Sequence, residues 1–197
     1  MIANPKFPPT PLKPMSIEAY LAWEPCQELR YEYVHGELVA MTGGTLPHND
    51  IAINLLAALR SHVRRRGCRI NMADAKVNIT PTLYRYPELA VSCDERDKTA
   101  LDALRYPSLI VEVLSPETEA SDRGDKFRDY RTLPSLLEYV LIDTQKMSVE
   151  IYRRGEGRLW LYTAYQVGDH IPLRSIDFEL PIELLYEDII LGGSSSN

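Results

Sequence analysis

The sequence has few cysteines, no long apolar run and no phosphate-binding loop, and each absence excludes a class of protein. Its 197 residues include three cysteines, Cys26, Cys68 and Cys93, which form neither a CxxC pair nor a zinc-finger spacing with histidine. We therefore expect free thiols in a reducing cytoplasm rather than a structural metal centre. No apolar stretch approaches the roughly 20 residues of a membrane-spanning helix, and the first residues lack the apolar core of an export signal. The absence of GxxxxGK[ST] argues against a P-loop nucleotide hydrolase.

Acidic residues outnumber basic ones, which limits how the protein can bind nucleic acid. The formal net charge is −6, whereas phosphate contacts require lysine and arginine. The segment RSHVRRRGCR is an exception, because Arg64, Arg65 and Arg66 lie together near the end of a predicted helix. These arginines either form a solvated end that complements the helix dipole or provide a local strip that contacts phosphates.

The length of the chain favours one domain with a short segment at each end. We expect an extended proline-rich arm over residues 1–15, a single domain over 16–190 and a flexible tail over 191–197.

Hydrophobic patterns predict a mixed α/β fold with one sheet, without the regular alternation of a doubly wound fold. Helices are expected at 16–23, 51–67 and 118–134, with a loop over 42–50. A hairpin is expected around His35 and Gly36 over 30–41. The remaining predicted strands are 69–79, 84–93, 108–115 and 137–144, followed by C-terminal hairpins.

Glu112 stands in the middle of SLIVEVLS, a run typical of a strand that is buried on both faces. An ionised carboxylate in such a place costs several kcal/mol unless a cation or hydrogen bonds offset the burial. If the strand 84–93 lies beside this one, Glu88 can converge on Glu112, with both acids placed mid-strand. Two close carboxylates do not both ionise readily without a cation, so the pattern indicates a site for Mg²⁺ or Mn²⁺.

A lysine follows on the next helix, where Asp122, Lys126 and Tyr130 share one stripe at four-residue spacing. A lysine beside a metal-bound water can orient that water or stabilise charge on a phosphate. Each residue also has a structural interpretation. Glu112 can pair with a structural cation, Glu88 can be a carboxylate at a strand edge, and Lys126 can belong to a solvated helix face.

Several blocks of the sequence resemble the Uma-type family, whose members have a restriction-endonuclease-like fold within the PD-(D/E)XK nuclease superfamily. The blocks are RYEYVHGELVAMTGG with the following PHN, YRYPELAVSCDERD, LIVEVLSPET and DRGDKFRDYRTLPSLLEYVLID, and they span roughly residues 25 to 190. The resemblance implies an αβββαβ core with a central mixed sheet, an N-terminal hairpin and C-terminal hairpins. It also implies a divalent metal and hydrolysis of nucleic acid.

The resemblance assigns Glu88 as the first acid, where the family usually has Asp after Pro, and Glu112 as the second. The superfamily's lysine belongs two residues beyond the second acid, where this chain has Leu114, so the family resemblance points instead to Lys126 on the following helix. Asp74 in MADAKVNI also matches the family pattern and could be an outer metal ligand, and Glu37 is a weaker candidate.

We therefore expect a cytoplasmic endonuclease that depends on Mg²⁺ or Mn²⁺ and acts on nucleic acid, with DNA as the expected substrate. We also expect a homodimer, because a duplex presents two strands. One alternative is a nuclease fold that binds nucleic acid or protein without catalysis. Another is a purely structural interaction protein in which these charged residues form ion pairs.

Overall fold

The computed structural model of the protein describes residues 13–41 and 43–191, which form helices on both faces of a central sheet. The helices are α1 (Ile17–Trp23), α2 (Leu46–Arg65), α3 (Glu95–Lys98), α4 (Glu119–Ser121) and α5 (Phe127–Tyr130). A π-helical turn over Asp122–Lys126 joins α4 to α5, and 3₁₀ turns cover Glu24–Cys26, Arg174–Ile176 and Ile182–Tyr186. The strands are β1 (Tyr31–Val34), β2 (Glu37–Ala40), β3 (Arg69–Met72), β4 (Val77–Thr80), β5 (Leu83–Arg85), β6 (Leu89–Ser92), β7 (Leu109–Leu114), β8 (Glu138–Asp143), β9 (Ser148–Arg154), β10 (Trp160–Gln166), β11 (His170–Leu173) and β12 (Phe178–Pro181).

The central sheet has the strand order β10-β9-β8-β7-β6-β3. Strands β7 and β8 are parallel, and the other neighbouring pairs are antiparallel. A parallel pair needs a crossover connection, and here the crossover contains α4, the π turn and α5. The sheet is therefore mixed, as the sequence predicts.

Strand β7 is buried along its whole length because helices cover both faces of the sheet around it. On one face it packs against α2 in an aliphatic cluster that includes Ile51, Leu55, Leu59, Leu109, Val111 and Val113. On the other face it packs beneath α5 in a cluster that includes Ile110, Leu114, Tyr130, Tyr139 and Leu141. Burial of each such side chain stabilises the fold by roughly 1.5–3 kcal/mol, and Glu112 lies on the second face, between Ile110 and Leu114.

Helix α2 begins earlier than the sequence pattern predicts, so residues 46–50 are helical rather than loop. The hydroxyl of Thr45 accepts a hydrogen bond from the backbone N–H of His48 at 3.4 Å, and Pro47 occupies the first turn. Both are normal signals of a helix start. Because residues 46–50 have no apolar periodicity, the sequence pattern predicts a helix start that is too late.

Two of the predicted strands are each divided between two sheets. Residues 69–79 form β3 and β4, and Ala73, at φ +45°, turns the chain between them. Residues 84–93 form β5 and β6, with Pro87 between them; proline has no N–H to donate to a central ladder. Strands β4 and β5 belong to a second sheet of order β2-β1-β5-β4. The predicted helix over 118–134 ends at Tyr130.

The prediction of three free thiols is wrong for two of the cysteines, since Cys68 and Cys93 form a disulfide. They lie 25 residues apart in sequence, but β3 pairs with β6 so that Arg69 faces Ser92. The flanking positions 68 and 93 therefore meet across the sheet, a proximity that sequence spacing does not reveal. Cys26 is a free, exposed thiol.

The ends of the chain are described in part. Most of the predicted arm, residues 1–12, and of the predicted tail, residues 192–197, lie outside the described residues, and the single-domain assignment for 16–190 stays a prediction. Met15, in the described end of the arm, donates its N–H to the Gly36 carbonyl at 3.1 Å and accepts from the Tyr33 hydroxyl at 2.9 Å. Across the described part of the chain, no helix has the length and apolar character needed to cross a membrane.

Candidate metal-binding and catalytic site

Glu112 has polar partners on both of its carboxylate oxygens, although it lies in the middle of a buried strand. Oε2 accepts a hydrogen bond from the backbone N–H of Glu88 on the neighbouring chain segment at 3.2 Å. Oε1 lies 3.2 Å from the Lys126 ammonium, within ion-pair distance but without a well-oriented hydrogen bond. Burial raises the pKa of Glu112 to about 8, and the positive charge of Lys126 opposes that rise. Ionisation of this buried carboxyl group therefore costs free energy, and a nearby cation reduces that cost.

Lys126 reaches Glu112 from the crossover helix. Its ammonium lies 2.9 Å from Asp122 Oδ1, four residues earlier, so the predicted stripe places both residues over the sheet. Burial alone would lower the pKa of Lys126, but the surrounding carboxylates of Glu112, Glu32 and Asp122 raise it overall. Lys126 is therefore a charged ammonium group among carboxylates.

Glu88 lies at the entrance to β6 rather than mid-strand, because Pro87 separates β5 from β6. The expected convergence with Glu112 nevertheless occurs, since β6 and β7 are antiparallel neighbours. The Glu88 side chain is 19% exposed, and its Oε2 lies 3.7 Å from His48 Nε2. Burial raises the pKa of Glu88, while His48 and Lys126 act in the opposite direction.

The cluster carries more negative than positive charge. Four carboxylates, those of Glu32, Glu88, Glu112 and Asp122, act on or around the single ammonium of Lys126. Arg85 offsets Glu32, with which its guanidinium pairs at 2.6 Å, and it also pairs with Asp129 at 2.7 Å. Within the described residues, Glu88, Glu112 and Asp122 are left with the ammonium of Lys126 alone.

Two buried oxygens in the cluster, Glu112 Oε1 and Asp122 Oδ1, have no hydrogen-bond partner of normal geometry. Within residues 13–41 and 43–191, no three histidine, cysteine, aspartate or glutamate side chains are grouped closely enough to hold an ion by themselves. Mg²⁺, however, is commonly bound by one or two carboxylates and several waters. The surplus of charge and the underused carboxylate oxygens therefore fit a divalent cation at Glu88 and Glu112.

A cleft of about 370 Å³ makes the cluster accessible from outside. Glu88, Glu112 and Lys126 line it together with His48 at the first turn of α2 and Thr118 at the start of the crossover. The cleft thus brings two carboxylates and an ammonium to one opening, which is the set of groups needed for hydrolysis of a phosphodiester.

Comparison with known families is consistent with this arrangement. The Uma2 family model, whose description is "Putative restriction endonuclease", matches residues 17–183. The chain belongs to the Uma2 family. The resemblance that its sequence blocks carry is thereby confirmed.

Two proteins of Synechocystis sp. are similar to this Uma2 chain over most of their length. The uncharacterized protein slr1290 is 36% identical over 190 residues, which cover 96% of this chain and 99% of slr1290. The uncharacterized protein sll1609 is 34% identical over 154 residues, which cover 77% of this chain and 87% of sll1609.

A solved structure from Anabaena variabilis, described as a "putative nuclease belonging to DUF820", superposes on this Uma2 chain with a TM-score of 0.71. The match covers 88% of this chain and 98% of that one, at 19% identity. This likeness confirms the expected fold class, a mixed sheet with flanking helices of the restriction-endonuclease-like type.

Two other acids that were predicted as contributors to the site lie elsewhere. Asp74 is 76% exposed, 3.3 Å from Arg30, and lines a separate cleft with Asn71 and Lys76. Glu37 is exposed on β2. The structure brings neither acid to the cluster.

The arginines Arg64, Arg65 and Arg66 are exposed at the opposite end of α2 from His48. At 1.5 Å per helical residue, Arg64 lies roughly 24 Å along the helix axis from His48. These arginines therefore cannot contact the same phosphate as Lys126.

Sequence reasoning left three members of the cluster without a role at the site. His48 falls within the predicted loop over 42–50, but its ring faces Glu88. Asp122 was placed on the lysine stripe without a site role, although its four-residue spacing from Lys126 is a usable signal. Glu32 is buried on β1 and accepts the backbone N–H of Tyr86 at 3.1 Å, and no sequence signal marks it.

Proposed function

We propose that the protein is an endonuclease that hydrolyses phosphodiester bonds of DNA with the help of Mg²⁺ or Mn²⁺. One observation carries the proposal: Glu88, Glu112 and Lys126 converge in one cleft, although they come from three different segments. Membership in the Uma2 family and the nuclease-like fold support the same class of reaction.

Glu88 and Glu112 would hold the divalent ion, and the backbone carbonyl of Val113, a residue of the same cleft, would be a further oxygen donor. When bound, the ion supplies Lewis-acid polarisation of the phosphate and a more acidic water. This assignment supports the proposal because it gives the buried, underused Oε1 of Glu112 a partner.

Lys126 would bind the substrate phosphate and stabilise the charge that develops on its oxygens. Asp122 and Glu112 keep its ammonium charged and aimed into the cleft. Because the groups are fixed before substrate arrives, little reorganisation is needed during the reaction. The backbone N–H of Glu88, bonded to Glu112 Oε2, fixes the second acid in the same way.

Cleavage of both strands of a duplex needs two such sites, so a homodimer accompanies the proposal. Arg64, Arg65 and Arg66 would contact the DNA backbone away from the scissile phosphate. Their distance from the cleft suits an extended substrate rather than a single nucleotide.

A non-catalytic nuclease fold is the second candidate, and a specific observation favours it. Lys126 already pairs with Glu112 and Asp122, so this ion pair could be purely structural. Glu88 in place of the family's usual aspartate and the net charge of −6 point in the same direction. Divalent-ion binding distinguishes the two candidates.

The deciding experiment is calorimetric titration of Mn²⁺ and Mg²⁺ into the wild type and Glu112→Gln at neutral pH. We expect one ion per chain in the wild type and loss of binding in the variant, which keeps the shape of the side chain. Glu37→Gln is the matched control, an exposed glutamate outside the cluster, and should bind as the wild type does. Cleavage of plasmid, single-stranded DNA and RNA should then depend on the ion that binds. If the wild type binds neither ion, the endonuclease proposal fails.

A further inference from the structure

The Glu88 carboxylate has one basic neighbour at ion-pair distance in the described part of the chain, His48. Their Nε2 and Oε2 atoms are 3.7 Å apart. The backbone of Glu88 is fixed through its N–H, which donates to Glu112. Among the described residues, no hydrogen bond holds either of its carboxylate oxygens. His48 is therefore the basic side chain placed to orient this carboxylate, while Lys126 acts on it from further away.

The His48 ring is itself held in place by the start of α2. Its backbone N–H donates to the Thr45 hydroxyl, which fixes the first turn. Its side chain is 15% exposed and packs directly over Gly44. A Cβ atom added to Gly44 would lie 2.5 Å from His48 Nδ1, so any larger residue at position 44 would force the ring to turn. Neighbouring Gly43 has open space, with no atom within 4 Å of an added Cβ.

The length of the Glu88 side chain makes such a neighbour necessary. Glutamate has one more rotatable bond than aspartate, and a partly buried carboxylate without a hydrogen bond still has several rotamers available. Only rotamers that turn towards Glu112 allow the two acids to share an ion. His48 lines the same cleft as Glu88 and Glu112, so a contact between its ring and Glu88 favours the rotamers that keep this carboxylate inside the cleft.

We propose that His48 is a positioning residue whose imidazole holds the Glu88 carboxylate in the cleft, facing Glu112. The inference rests on the proposed function, because it concerns how the two carboxylates are prepared for a divalent ion. His48 acts through Glu88 and not as an additional ligand. Groups that orient metal ligands in this way typically change metal affinity by about 10- to 100-fold when they are removed.

The test is the Mn²⁺ dissociation constant, measured by calorimetry on the full chain. We expect His48→Ala to weaken binding by about tenfold and His48→Gln to recover most of the loss, since its amide nitrogen can occupy the position of Nε2. In a Glu88→Gln background, His48→Ala should cause no further change. A further loss in that background would make His48 a ligand itself and overturn the proposal. Affinity within twofold of the wild type in His48→Ala would also overturn it.

Gly44→Ala tests the same proposal without removing the imidazole. It should weaken Mn²⁺ binding about as much as His48→Ala does and add nothing when combined with it. Gly43→Ala is the matched control and should bind as the wild type does. If Gly44→Ala binds normally, the position of the ring does not matter and the proposal fails.

A metal-free measurement separates this inference from the proposed function. The melting temperatures of His48→Ala, Glu88→Gln and the double variant report on the pair without any ion. If the wild type binds no Mn²⁺ but the two changes are non-additive, the proposed function fails and the His48–Glu88 contact stands. If the two changes are additive, the positioning role is wrong whatever the ion does.

Discussion

The Lys126 ammonium lies 3.2 Å from Glu112 Oε1, and this contact joins the crossover helix to the middle of the central sheet. Glu112 contributes the acid and Lys126 the nearby positive charge, from opposite sides of the same interface. In the metal-free protein each is the main compensation for burial of the other.

Replacement of Lys126 by alanine should destabilise the metal-free protein. It leaves Glu112 and Asp122 buried without their cation, which costs about 3 kcal/mol for a broken buried pair. Urea unfolding measures the loss. The same variant should lose DNA cleavage, yet Mn²⁺ should stabilise it more than it stabilises the wild type, because the competing ammonium is gone. Lys98→Ala is the control, since Lys98 forms a surface pair with Glu95 and its loss should cost less than about 1 kcal/mol.

The stability of the metal-free protein should fall as pH rises from about 4.5 to about 8. Burial raises the pKa of Glu112 from 4.5 to about 8, so in this window the folded state binds more protons than the unfolded state. Unfolding free energies of the wild type and Glu112→Gln at several pH values measure the effect, because the difference between them isolates this carboxyl. A difference that is independent of pH would show that Glu112 titrates normally in the folded protein.

Reduction of the disulfide should destabilise the fold without affecting the cleft directly. A cross-link that closes a loop of 25 residues contributes about 3 kcal/mol by restricting the unfolded chain. Urea unfolding with and without a dithiol reductant, and of Cys68→Ser with Cys93→Ser, should show this loss. Cys26→Ser is the control, since this exposed thiol is not in the bond. Equal stability of the oxidised and reduced protein would show that the bond does not form in solution.

Removal of the arginine cluster should weaken DNA binding and leave metal binding intact. If Arg64, Arg65 and Arg66 each contact one phosphate, their replacement by alanine should reduce the salt dependence of DNA affinity by about three units of slope. Mn²⁺ affinity should not change, because the three arginines are roughly 24 Å from His48 along α2. Arg158→Ala, an exposed arginine between β9 and β10, controls for general loss of positive charge. If the salt dependence of DNA affinity is unchanged, these arginines only form a solvated helix end.

The sequence predicts much of the fold because the central strands and α2 have strong hydrophobic patterns. The run around Glu112 corresponds to the fully buried β7, and the apolar stripe of α2 corresponds to the buried side of that helix. The errors occur where a single residue overrides the pattern. Ala73 and Pro87 each divide a predicted strand between two sheets, and neither the alternation of side chains nor strand propensity indicates which sheet a segment enters.

The central acids and the lysine are predictable because a buried charge is unusual enough to stand out. The residues that surround them cannot be predicted in the same way. His48 and Glu32 come from segments far away in sequence, and they approach the cluster only after the two sheets and α2 have packed together. Cys68 and Cys93 show the same limit, because only strand pairing makes them neighbours.

The parallel pairing of β7 and β8 has a consequence for how such a site can change. If acid and lysine were on one strand, a slip in that strand's register would move both at once. Here Leu114 occupies the strand position two residues beyond Glu112, where the superfamily has its lysine, and it packs in the core. Lys126 lies instead on the crossover that the parallel pair requires. The spacing between acid and ammonium can therefore be adjusted by lengthening, shortening or rewinding a helix that is outside the sheet's hydrogen-bond ladder.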